Sequence, residues 1–114
     1  MLPASSRMRA ASDFQFVMRR GSKSGRKTAV VYLARTGDAT SMAGFAVSKA
    51  VGGAVIRNRV KRRMRAIMAE LLPTLSPGSG VVVRALPAAA DASYAQLRAD
   101  LSGALAAADA KVPA

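Results

Sequence analysis

Ala54-Val55-Ile56-Arg57-Asn58-Arg59-Val60-Lys61-Arg62-Arg63-Met64-Arg65 is the stretch on which the reading of this 114-residue chain turns. It follows Gly52-Gly53, and its apolar spacing continues to Leu72, where Pro73 removes a backbone donor and ends the helix that the spacing predicts over 55–72. At about 100° per residue, Val60, Met64, Ile67, Met68 and Leu71 gather on one face, while Asn58, Lys61, Arg62 and Arg65 fall opposite. Arg57, Arg59 and Arg63 add to the charge, and no acidic residue interrupts the run. Such a helix packs one side on a core and offers the other to a polyanion, and Arg together with Asn points to RNA. An isolated cationic helix face is ordinarily just solvated, but this run exceeds what solubility needs.

Working outward, the β-branched and aromatic run Thr28-Ala29-Val30-Val31-Tyr32-Leu33-Ala34-Arg35 reads as a strand. Gly37-Asp38 supplies turn chemistry, and Met42-Ala43-Gly44-Phe45-Ala46-Val47-Ser48 reads as a second strand, expected to pair with the first as a hairpin. Whether residues 22–27 add a further short strand is left open by their sequence. Ser12-Asp13-Phe14-Gln15 matches a capping box and predicts a helix over 13–20, with Arg19 and Arg20 at its negative end and Gly21 placed to close it in the left-handed conformation. Downstream, Ser76-Pro77-Gly78-Ser79-Gly80 is a turn and 81–85 a short buried strand. Ser93-Tyr94-Ala95-Gln96 is a second capping box, opening a final helix through Leu97, Leu101 and Leu105.

The order helix, strands, helix, strand, helix predicts an α+β chain folded as a two-layer α/β sandwich on one sheet, with a helical crossover long enough to leave the second and last strands parallel. One domain over 1–114 is expected, with 1–11 irregular and 109–114 frayed. Phe16, Phe45, Met64 and Met68 are expected in the core.

The formal charge of +12 is placed unevenly: residues 1–65 carry a net +13 and residues 66–114 a net −1. The polyanion-facing surface is therefore expected from the first two thirds, with the last third completing the core. The chain has Cys 0 and His 0. Disulfides and thiolate metal sites are excluded, and so is the side chain whose ordinary pKa suits proton transfer near neutrality. The acids stand singly, with no pair spaced to hold a metal ion, and Gly78-Ser79-Gly80 precedes a strand where a phosphate-cradling loop would follow one. If the chain takes part in catalysis, another molecule supplies the reactive groups. With no long apolar run and no signal-like segment, a cytoplasmic protein with no membrane and no small-molecule substrate is expected.

Phe45-Ala46-Val47-Ser48-Lys49, Gly52, Ala54-Val55 and Arg57-Asn58-Arg59-Val60-Lys61-Arg62-Arg63-Met64-Arg65 together closely resemble the signature of the bacterial ribonuclease P protein component. The resemblance extends through Asp13-Phe14-Gln15 with Gly21, Val30 to Tyr32, and Val81-Val82-Val83 to Pro87, nearly the whole chain. It implies a ribosomal protein S5 domain 2-like fold with a mainly antiparallel sheet and a left-handed βαβ crossover, against the usual hand. It also implies the non-catalytic protein subunit of a tRNA-processing endonuclease, a ribonucleoprotein in which the catalytic RNA and its bound Mg²⁺ cut the 5′ leader from precursor tRNA. By position, Lys49, Arg57, Asn58, Arg59, Lys61, Arg62 and Arg65 would contact RNA, while Phe14, Met18, Val30 and Tyr32 would line the leader cleft, Phe14 and Tyr32 each keeping one ring face open. Three positions depart from the family: Ala50 stands where a second Lys is frequent, Gly53 where Asn is common, and Met18 where an aromatic is usual, so base stacking there falls to Phe14 and Tyr32.

Two other functions fit less well. A ribosomal or general structured-RNA-binding protein would also be small and basic, but would bind unrelated RNAs equally and promote no leader cleavage. A self-sufficient nuclease lacks its residues, and a membrane-surface helix would need aromatic anchors that the basic stretch does not have.

Overall fold

A computed structural model of the chain describes residues 2–37 and 39–112. Helix α1 spans Ala11–Arg20, followed by strands β1 (Ser22–Gly25), β2 (Ala29–Arg35) and β3 (Met42–Ala46), helix α2 (Ala54–Leu71), strand β4 (Ser79–Ala85) and helix α3 (Tyr94–Lys111). Short 3-10 turns precede α1, follow α2 and precede α3. The open question over 22–27 resolves as strand β1.

The sheet order is β1-β2-β4-β3. β1 and β2 pair antiparallel, as do β2 and β4, while β3 and β4 pair parallel across the α2 crossover. The expected hairpin between the first two long strands is therefore wrong: β4 lies between them. The physical reason is that Val81, Val82 and Val83 are all fully buried, so β4 needs cover on both faces and takes a central place.

One sheet face carries the larger core. Val31 and Leu33 of β2, with Val81 and Val83 of β4, pack against Val60, Met64, Ile67 and Met68 of α2 and Leu97, Leu101 and Leu105 of α3. The opposite face, with Tyr32, Ala34 and Val82, is covered only in part, by Met8 and by Val17 and Phe14 of α1. The α2 periodicity is borne out, and so is the second capping box: Ser93 Oγ accepts from Gln96 N at 3.1 Å and Gln96 Oε1 accepts from Ser93 N at 2.9 Å.

Three local expectations need correction. α1 starts at Ala11, with Ala10 at its N-cap and no side-chain cap, so Ser12 lies inside the helix. Gly21 has φ −79, and its lack of a side chain answers a close approach instead: a Cβ there would stand 2.4 Å from Val17 O and 2.7 Å from Leu33 O. Phe16 is 46% exposed because it points away from the sheet when Phe14 and Val17 point toward it, whereas Phe45 does pack on the core.

The ends are better seated than expected. Leu2 and Met8 are buried, and Arg7 forms an isolated parallel bridge to Ala43 that extends the sheet past β3, with Met8 N donating to Ala43 O at 2.8 Å. At the other end α3 continues through residue 111, held by an Arg35–Asp109 ion pair at 2.9 Å and by Ser22 Oγ donating to Ala108 O at 2.6 Å. Residues 113 and 114 of the expected frayed tail lie outside the described residues.

Candidate nucleic-acid interface

α2 distributes its cations by helical angle onto three sides. Arg57, Lys61 and Arg65, four residues apart, form a ladder along one flank. Asn58 and Arg62 point outward and are exposed. Arg59 and Arg63 occupy the other flank and turn to the chain itself: an Arg59 terminal nitrogen donates to Ala90 O at 2.9 Å, and one of Arg63 to Ala92 O at 3.2 Å. The Nε atoms of Arg57, Arg59 and Arg65 are buried without a partner, so these stems lie along the protein surface. Among the described residues no acid lies within ion-pair distance of any α2 cation; Glu70 pairs with Arg98 at 2.7 Å and Asp109 with Arg35 at 2.9 Å. The Glu70 carboxylate, through its hydrogen bond and its charge, raises the Arg98 pKa above the usual guanidinium value.

The ladder borders a groove of about 300 Å³ lined by Arg7, Met8, Arg9, Phe14, Ala43, Phe45, Lys61 and Arg65. Its walls come from four separated parts of the chain: the N-terminal segment, α1, β3 and α2. The groove needs Gly44, since a Cβ there would stand 2.6 Å from Phe14 Cζ. Phe14 thereby closes over β3 and touches both the groove and the partly covered sheet face. Arg7 and Arg9 were not singled out by sequence reasoning, which read their segment as irregular. Their placement follows from the bridge to Ala43, a contact with no local signal.

On the sheet face beside α1, Met18 is 37% exposed on the same helix flank as Phe14, and Val30 is half-buried on the floor. Tyr32 is 6% exposed, which corrects the expectation of an open ring face. Lys23 explains part of the closure: it pairs with Tyr32 across β1 and β2, and its Nζ lies 5.8 Å from the ring centroid, within cation–π reach. Lys49 is exposed in the turn before α2, where Gly52 N donates to Lys49 O at 3.2 Å. The fold thus brings Lys61, Arg65 and Phe14 to one groove, leaves Asn58 and Arg62 on the outward side of α2 and Lys49 exposed in the turn before it, and turns Arg59 inward.

No group of three or more His, Cys, Asp or Glu side chains converges as metal ligands among the described residues. Among the described residues no helix is long and apolar enough to cross a membrane. The arrangement can bind and position a polyanion through guanidinium and ammonium groups.

The comparisons with known proteins agree with this geometry. The family model for Ribonuclease P matches residues 2–109. The ribonuclease P protein component of Streptomyces bikiniensis is 50% identical over 115 residues, covering 92% of this chain and 93% of that protein. That of Beutenbergia cavernae is 50% identical over 107 residues, covering 92% and 89%. Among solved structures, the RNase P protein of Staphylococcus aureus superposes with a TM-score of 0.80 at 27% identity, over 90% of this chain and 94% of that one. The Thermotoga maritima RNase P protein shares the fold, with a TM-score of 0.74 at 24% identity, over 85% and 92%. With a family model spanning nearly all of it and relatives at half identity along almost its full length, the chain belongs to the ribonuclease P protein component family, the protein subunit of the ribonucleoprotein that matures the 5′ end of tRNA.

Proposed function

We propose that this subunit grips the catalytic RNA of ribonuclease P through the outer and groove-facing sides of α2, with Lys49, Arg57, Asn58, Lys61, Arg62 and Arg65 as contacts, and steadies the precursor tRNA leader on the sheet face beside Phe14, Met18, Val30 and Tyr32. The observation that carries this reading is the ladder of Arg57, Lys61 and Arg65, free of acidic partners among the described residues and opening onto a groove shared with Arg7, Arg9 and Phe14. Each phosphate neutralised releases counterions, and each guanidinium adds fork geometry matched to phosphate. Arg59 acts in part through the chain: by binding Ala90 O it fixes the segment ahead of α3, and with it the angle at which α2 meets the RNA.

Mg²⁺ belongs to the RNA in this reading, because the donor set here does not fit it. Glu70 and Asp109 are neutralised by arginines, and Asp100 accepts from Thr28 N at 3.1 Å and Thr28 Oγ1 at 2.6 Å. The subunit acts in the cytoplasm, where precursor tRNA is processed.

Reconstitution with a bacterial ribonuclease P RNA tests the assignment. The protein alone is expected to cleave nothing, and its addition to stimulate leader removal at low Mg²⁺. Changing Arg57, Lys61 and Arg65 together to Gln is expected to weaken assembly with the RNA by at least tenfold. Unchanged assembly by that variant refutes the interface.

A further inference from the structure

The sheet face beside α1 carries two cations, Lys23 and Arg84, that neither the α2 motif nor the groove accounts for, and Arg84 is the one placed on its open half. Along β4, Val81, Val83 and Ala85 turn to the core under α2 and α3, and Val82 to the opposite face, so by alternation Arg84 shares the face of Val82. In register it stands beside Val30 of β2 and Ala46 of β3. α1 covers the other end of these strands: a Cβ at Gly80 would meet Val17 Cγ2 at 2.9 Å. The end holding Val30, Arg84 and Ala46 is left open, and Arg84 is exposed. Among the described residues its side chain makes no hydrogen bond or ion pair.

Two further facts describe what this floor can recognise. Of the expected stacking surfaces, Tyr32 is closed and Met18 has no π face, which leaves Phe14 as the part-open ring. Among the described residues the charge of the floor is all positive: Lys23 stands over Tyr32 from β1, and Arg84 lies two strands away, about 10 Å across the sheet. The acids sit elsewhere. Asp13 lines a cavity with Met42, Ser79 and Gly80 at the opposite strand end, and Asp91 and Asp100 line one with Thr28 and Ala88.

We propose that Arg84, seconded by Lys23, holds backbone phosphates of single-stranded RNA lying on the open half of the sheet, so that this subunit recognises the leader chiefly by charge rather than by base stacking. The proposal rests on the leader reading above and names the groups that carry it. Arg84 offers the planar fork that fits a phosphate, and Lys23 a movable point charge. Recognition of this kind tolerates base changes and falls steeply with salt.

The test uses the reconstituted holoenzyme and two precursor tRNAs, one with a single-nucleotide leader and one with a longer single-stranded leader, with binding measured across a salt series. The wild type is expected to favour the longer leader. Arg84→Gln is expected to lower the long-over-short affinity ratio about tenfold, the equivalent of one charge-assisted contact, and to reduce the log–log salt slope for the longer leader by about one. Arg84→Lys is expected to recover most of the ratio, and replacing leader bases to change it less than Arg84→Gln does. A wild-type preference that Arg84→Gln leaves intact overturns the assignment of Arg84. Equal wild-type affinity for both leaders overturns the leader reading itself, and this proposal with it.

Discussion

Gly44 has no side chain because the Phe14 ring occupies the space one would fill, and that single contact sets the position of the aromatic shared by groove and sheet floor. Gly44→Ala is expected to cost about 1–3 kcal/mol through overpacking, measured by denaturant unfolding, and to displace Phe14 into solvent. Gly21→Ala should cost more, because its obstacles are two backbone oxygens that cannot rotate away. Phe16→Ser is expected to change stability by no more than about 0.5 kcal/mol, as an exposed site away from the core does. Phe14 and Phe16 sit two residues apart in similar sequence surroundings. Which ring goes inward depends on where α1 lands on the sheet, and that landing is not written in the helix itself.

At the scale of the element, α2 divides seemingly equivalent arginines into different tasks. Arg59 and Arg63 bind the carbonyls of Ala90 and Ala92, so Arg59→Ala or Arg63→Ala is expected to lose about 1–2 kcal/mol of stability in thermal or urea unfolding. Arg62→Gln, at an exposed position without a side-chain partner among the described residues, is expected to leave stability within about 0.5 kcal/mol while weakening RNA binding and lowering its salt slope by about one. Equal stability losses at all three positions would contradict this division. The apolar side of α2 is a different matter: Met64 is fully buried, and Met64→Ala is expected to cost about 2–5 kcal/mol. In α3 the capping box is closed at both bonds, and Ser93→Ala should cost about 0.5–2 kcal/mol. The helices and the α3 cap were legible in the sequence because period and capping are local. The cap proposed at Ser12 was not realised, since α1 begins two residues earlier than expected, at Ala11.

For the whole molecule, the +12 charge sets two trends of opposite sign. Added salt screens self-repulsion in the free protein, and relief of about 1 kcal/mol would raise its Tm by about 4 °C. The same salt weakens RNA binding, since log affinity falls with log salt in proportion to the phosphates neutralised. Differential scanning calorimetry of the free protein and binding titrations of the assembled one, run over one salt series, check both trends; parallel responses would remove the electrostatic account. The chain's own periodicities and composition determined its helices, most of its strands, the cationic face of α2 and the absence of His and Cys chemistry, because these depend on side-chain chemistry and on neighbours a few residues away. The placing of β4 between β2 and β3, the seating of Arg7 and Arg9 beside Lys61 and Arg65, the closure of Tyr32 and the exposure of Arg84 were decided only by the tertiary structure. Each depends on which distant strand or segment fills a neighbouring space, and strand pairing is a competition over the whole chain that no local pattern records.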